Sequence, residues 1–78
     1  MTTCKINLNS IEDVKEFVGL TNASKFDIDI ISGRYVVDAK SIMGIFSLDI
    51  TKPLELSIHA DGDNAADFID DIKKFVVE

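Results

Sequence analysis

The chain of 78 residues predicts an α+β fold: one four-stranded antiparallel sheet with three helices on one face, in the order β-α-β-β-α-β-α. Three observations carry this expectation. Several stretches alternate apolar and polar residues, the pattern of strands with one covered face. Others repeat apolar residues at helical spacing, and turn residues separate the two kinds. The length allows one domain over 1–78, and no linker, repeat or low-complexity segment divides it.

The elements follow in order. Thr3 to Leu8 alternates, with Cys4, Ile6 and Leu8 on one face and Thr3, Lys5 and Asn7 on the other. Asn9 and Ser10 end this strand, and Ser10 with Asp13 three residues on resembles a capping box. Ile11, Val14, Phe17 and Val18 then form the stripe of a short helix, which Gly19 is expected to close. Phe26, Ile28 and Ile30 alternate with Asp27 and Asp29 as a second strand; Ser32-Gly33 reads as a hairpin turn, and Arg34 to Val37 returns as the third.

Ser41 opens a second helix, Ile42 to Leu48, which Thr51-Lys52-Pro53 breaks. Leu54, Leu56, Ile58 and Ala60 alternate with Glu55, Ser57 and His59 as the fourth strand. After the turn Asp61-Gly62-Asp63, with Asp63 as the expected cap, a last helix is predicted from Asn64 to Val77. Its apolar side carries Ala65, Phe68, Ile69, Ile72, Phe75 and Val76.

Composition narrows the function classes. Apolar residues make up 46% and charged residues 28%, the balance of a packed domain. Fourteen acidic against eight basic residues give a net charge of −6, which argues against a nucleic-acid partner, since phosphate recognition rests on clustered Lys and Arg. The same balance disfavours an anionic membrane surface. A single cysteine, Cys4, excludes an internal disulfide and a cysteine metal cluster. Neither a signal peptide nor a run of membrane-spanning length is present, so a cytoplasmic location is expected.

The stretch Ala39 to Ala65, "AKSIMGIFSLDITKPLELSIHADGDNA", resembles the HPr family, the small phosphocarriers of the bacterial sugar phosphotransferase system. The run Lys40-Ser41-Ile42-Met43-Gly44, the following Ser47-Leu48, the fourth strand and the Asp61-Gly62-Asp63 turn carry the likeness, and the element order matches. It covers about half the chain and is most specific at the serine. It implies the open-faced sandwich of that family, no cofactor, no enzyme activity of the chain's own, and partners among phosphotransferase-system enzymes, a serine kinase or a transcriptional regulator.

The family's carrier chemistry uses a histidine in a Gly-Leu-His-Thr-Arg-Pro type loop before the first helix. Here the corresponding stretch is shorter: ungapped from the serine segment, Ser10 falls at the acceptor's place, Glu12 at the arginine's and Asp13 at the proline's. Two carboxylates repel a phosphoryl dianion where the family supplies a cation. A histidine carrier function is therefore expected to be lost. The one histidine, His59, reads as a solvated residue on the outer face of the fourth strand; the alternative, a substitute acceptor, needs an anion site that the sequence does not place there.

Ser41 has two compatible readings. As an N-cap its hydroxyl accepts an N–H of the helix and is worth ~1 kcal/mol. By resemblance to the family of low-GC Gram-positive bacteria it is the serine that an ATP-dependent kinase phosphorylates to switch regulator binding. After it, Ile45 and Leu48 share one side with Ser41 or Ile42, while Met43 and Phe46 pair on another. Either all are core, or Met43 with Ile42 or Phe46 is exposed and, with Ser47, forms the partner-binding surface that the family uses. Asp61, Asp63 and Asp67 lack the ligand set of a calcium loop, and Asp70 and Asp71 with Lys73 and Lys74 form surface i,i+3 pairs. The resulting expectation is a regulatory or protein-binding module with a phosphoserine at Ser41. The alternatives are a phosphocarrier using His59, or an interaction domain without phosphorylation.

Overall fold

The computed structural model describes residues 1–77. Its elements are β1 (Thr2–Ile6), α1 (Ile11–Asn22), β2 (Ile28–Ser32), β3 (Tyr35–Asp38), α2 (Ile42–Phe46), β4 (Leu54–Ile58) and α3 (Gly62–Asp71). The strands form one sheet in the order β1-β4-β2-β3, every neighbouring pair antiparallel. This is the expected open-faced sandwich.

Alternation decides which side of the sheet is covered. Ile6 of β1, Ile28 and Ile30 of β2, and Leu54, Leu56 and Ile58 of β4 are all buried. They meet Val14 and Phe17 of α1, Ile45 of α2, and Ala65 and Phe68 of α3 in one core. Burying each large aliphatic side chain contributes about 1.5–3 kcal/mol. The intervening residues Thr3, Lys5, Asp29, Ile31, Glu55 and Ser57 face the other side, where β1, β2 and β4 pair them across strands.

The β2–β3 connection is a two-residue turn at Gly33-Arg34, since Ser32 pairs with Tyr35. Gly33 has φ +60° and Arg34 does not share it, the pattern of a type II′ turn that matches the twist of its strands. Glycine adopts that left-handed conformation without the steric cost of a side chain.

Several boundaries differ from the sequence reading. β1 runs Thr2–Ile6 and stops short of Leu8, β2 starts at Ile28 rather than Phe26, and β4 stops at Ile58 before Ala60. The hairpin turn is Gly33-Arg34 rather than Ser32-Gly33, and the helix ends move for identifiable reasons. Helix α1 does not stop at Gly19 but continues to Asn22, because Thr21 on the last turn is buried and hydrogen-bonded. Glycine within a helix costs roughly 1 kcal/mol, which these contacts offset. Its first apolar residue, Ile11, stays 57% exposed rather than joining the core stripe. Helix α2 ends at Phe46, where Ser47 takes the C-cap, so Leu48 lies beyond it.

Helix α3 begins after Asp61, not Asp63, and ends at Asp71 instead of reaching Val77. The Asp61 side chain caps nothing; its carboxylate is paired with the Met1 ammonium. At the other end the chain turns at Ile72 so that Phe75 enters the core edge-on to Phe17, ring centroids 6.0 Å apart. The Asn7 N–H donates to Phe75 O and the Val77 N–H to Lys5 O, each 2.9 Å, and Val76 bridges Ile6. Lys73 pairs with Asp70 as expected, whereas Lys74 reaches Glu16 of α1 rather than Asp71.

Cys4 is half-buried on the covered side of β1, and burial raises its thiol pKa. Because the thiolate is the nucleophile, alkylation of native protein is expected to rise with pH along a curve displaced upward from that of the urea-unfolded chain. Iodoacetamide rates followed by mass across pH 7–10 (roughly the span around a free thiol's pKa) measure that displacement. Coincident curves contradict it.

Candidate functional site

The serine segment is built by two elements that meet behind it. From α1, the Thr21 hydroxyl donates to Ala39 O at 2.8 Å and also reaches Val18 O at 3.0 Å. One residue on, the Asn22 amide donates to Lys40 O at 3.1 Å. Asp38, ending β3, accepts the Lys40 N–H through Oδ1 at 2.8 Å and the Ser41 N–H through its backbone carbonyl at 3.0 Å. Residues 38–41 are thus tied down at almost every peptide, and Ala39 is fully buried.

Ser41 caps α2: its backbone is extended (φ −103°, ψ 108°) and its Oγ accepts the Gly44 N–H at 3.1 Å. A Cβ at position 44 would lie 3.3 Å from that Oγ and 3.4 Å from Val37 Cβ. Glycine at 44 therefore leaves room for the capping hydroxyl, while the approach to β3 is an ordinary contact. The helix turns Ile45 fully inward, leaves Ile42 partly buried, and presents Met43 at 76% and Phe46 at 42% exposure. Met43 and Phe46, three residues apart, share one face. Ser47 is exposed, its hydroxyl returned to Gly44 O at 2.6 Å. Ser41, Ile42, Met43, Phe46 and Ser47 are thus brought together on one short, partly apolar surface.

The β1–α1 connection is a different kind of place. The Ser10 Oγ accepts the Asp13 N–H at 3.1 Å, and the Asp13 carboxylate accepts the Asn9 N–H at 2.9 Å. This is the expected reciprocal cap shifted by one residue, with Asn9 rather than Ser10 giving the second N–H. Glu12 is exposed in the first turn beside Asp13. The Asn9 N–H is thus held by the Asp13 carboxylate and the Asp13 N–H by the Ser10 hydroxyl, and two negative charges stand beside them.

His59 lies far from that loop in the sheet: β1 and β4 run antiparallel, with Ile6 opposite Leu54 and Thr2 opposite Ile58. Its Nε2 is 2.9 Å from Asp29 Oδ2, an exposed pair on the open face. Among the described residues, no three His, Cys, Asp or Glu side chains gather as metal ligands. No helix among them is long and apolar enough to cross a membrane.

A cleft of about 700 Å³ opens between the β2–β3 turn and the loop after α2, lined among others by Arg34, Tyr35, Leu48, Lys52 and Pro53. On its rim the Thr51 hydroxyl and N–H hold the Asp49 carboxyl below the usual carboxylate range. The sequence reading missed this cleft, and it missed the anchoring residues Thr21 and Asn22. A polar pair ending a helix, after a glycine that seems to close it, is the signal that could have pointed to them.

A family model described as the PTS HPr component phosphorylation site matches residues 12–78, beginning just past Ser10. Two solved structures superpose over nearly the whole chain. HPr-C-His from Thermoanaerobacter tengcongensis is 24% identical with a TM-score of 0.75, covering 95% of this chain and 93% of that one. The phosphocarrier protein HPr from Bacillus anthracis is 24% identical with a TM-score of 0.74, covering 97% and 96%. At that identity the superpositions speak for the fold.

Thr21→Val keeps the shape of the side chain while stripping Ala39 O of its hydroxyl partner. It is expected to cost about 1–3 kcal/mol in urea unfolding, since a buried acceptor is left unsatisfied. Amide exchange should accelerate most over residues 39–45, the segment that this bond holds. A variant as stable as the parent, with unchanged exchange there, contradicts the anchoring role.

Proposed function

The chain belongs to the PTS HPr family, and from that premise we propose that it is a protein-docking, regulatory module of the phosphotransferase system rather than a histidine phosphocarrier. The observation that carries the reading is the contrast between its two family sites. In the β1–α1 loop, Ser10 stands where the carrier residue is expected, its hydroxyl spent on the Asp13 N–H, with Glu12 and Asp13 supplying negative charge. In the serine segment, by contrast, the cap, the close glycine and the exposed Met43 and Phe46 are all in place.

Ser41 is the switch in this reading. A phosphate on its Oγ adds nearly two negative charges at the opening turn of α2, on the rim of the Met43–Phe46 surface. The helix dipole tolerates a charge there, so the modification changes what docks without unfolding the helix. A partner with an arginine beside an apolar pocket gains a charge-assisted bond, and one with carboxylates there is repelled. Met43, unbranched and polarizable, suits a surface that meets more than one partner.

The test uses the purified chain beside a true HPr as control. Incubation with the ATP-dependent serine kinase of the system is expected to add one phosphate, mapped by mass spectrometry to Ser41 and absent from Ser41→Ala. Incubation with the phosphoenolpyruvate-dependent enzyme is expected to add no acid-labile phosphate. Met43→Asp is expected to weaken docking to the kinase by about tenfold or more, as loss of a central apolar contact does. An unmodified Ser41 where the control is modified ends the switch, and acid-labile phosphate on His59 ends the non-carrier reading.

A further inference from the structure

The two edges of the sheet are treated differently. The outer edge of β1 is closed by residues 75–77, whose backbone groups bond to Asn7 and Lys5. β3 is the other edge, and the sheet order ends with it. The Ala39 N–H donates to Ile28 O at 2.9 Å, and in an antiparallel ladder every second opposite pair exchanges bonds. Ile30–Val37 and Ser32–Tyr35 are therefore the bonded pairs, so Val36 and Asp38 turn their N–H and C=O groups away from β2. Tyr35 is 69% exposed and Val36 62%. The strand carries no proline or lysine, and its register with β2 is unbroken by a bulge. Those are three of the devices that guard an edge; β3 keeps two others, its four-residue length and the charge of Asp38.

We infer that β3 is the contact strand of a symmetric homodimer, in which a second copy lays its own β3 alongside, antiparallel, with Val36 facing the partner's Val36. The two sheets then join as one of eight strands, and the outward backbone groups of Val36 pair across the two-fold axis. Charge selects this register. With Val36 on the axis, Arg34 stands opposite the partner's Asp38, and by symmetry this happens twice. Moving the axis by two residues sets Arg34 against Arg34 or Asp38 against Asp38. Moving it by one leaves Arg34 or Asp38 opposite a valine.

The charges concerned are suited to this use. Arg34 is exposed and enters no ion pair among the described residues. Asp38 stands across the β2–β3 ladder from Asp29, whose carboxylate is on His59; its own Oδ1 takes the Lys40 N–H, which leaves Oδ2 for an arginine from a second copy. On the opposite face of the joined sheet, Tyr35 meets the partner's Val37. A four-residue strand is a small interface, so the dimer is a weak one that dissociates at about 10 µM to 1 mM.

The experiment is dilution of the intact chain, followed by sedimentation equilibrium and by ¹H–¹⁵N spectra up to about 2 mM, above the expected range. Expected is a monomer–dimer equilibrium, with concentration-dependent shifts centred on the Val36 and Asp38 amides. Val36→Pro removes an N–H that bonds to nothing within the monomer, and Arg34→Glu sets two carboxylates face to face. Each is expected to weaken the dimer by about tenfold or more while its monomer keeps the parent's dispersed spectrum. A chain that stays monomeric throughout overturns the inference. So does a dimer that a folded Val36→Pro or Arg34→Glu leaves unchanged, or whose shifts map to α2 or the open face of the sheet.

Discussion

The parity of β4 governs the rest of the molecule. This strand lies inside the sheet, with β1 on one side and β2 on the other, and its Leu54, Leu56 and Ile58 supply the floor on which all three helices rest. Strand side chains repeat every second residue, so a slip of one position would carry Glu55, Ser57 and His59 under the helices and the aliphatic row out into water. Several kilocalories of burial ride on that single register, in a domain whose small size leaves little margin. With β4 placed, β1 and β2 have no freedom of face, and the helices must cover the side that they do.

Upon that frame, the two ends of the helical layer have diverged chemically. At the opening of α1 the Asp13 N–H is taken by a serine hydroxyl and the Asn9 N–H by an aspartate, and the surrounding charge is negative. That arrangement stabilises the helix and repels an approaching anion by the same electrostatics. At the opening of α2 the cap is neutral, with no acidic residue in the first turn, and the exposed side chains are apolar. The two helix openings therefore differ in charge and in the groups that they present.

Most of the architecture was legible from periodicity, because strands with one wet face write their pattern plainly: Cys4-Ile6-Leu8, Ile28-Ile30 and Leu54-Leu56-Ile58 fell on the covered side as read. The crowding of apolar residues on so short a helix left two readings, all core or Met43 exposed with Ile42 or Phe46, and it is Met43 and Phe46 that emerge. What escaped was tertiary. Gly19 looked like a stop, yet packing of Thr21 against the Ala39 carbonyl carries α1 another turn. Phe75 and Val76 had helical spacing, but a strand edge and the Phe17 ring claim them instead. Neither competitor is visible in local sequence, since each partner lies far along the chain.

The closing of the β1 edge by residues 75–77 also bears on when the protein can fold. β1 finds its ladder partner some fifty residues further along the chain and its other neighbour at residues 75–77. Until then Cys4, Ile6 and Leu8 have nothing to pack beneath. The β2–β3 hairpin and α1 can form before β4 is made, but the outer edge of β1 stays open until residues 75–77 have emerged. Completion of the sheet therefore waits on pairings distant in sequence, the kind that slows folding. A ribosome stalled before residue 75 emerges holds a chain without its finished edge, a substrate for chaperones rather than a smaller version of the domain.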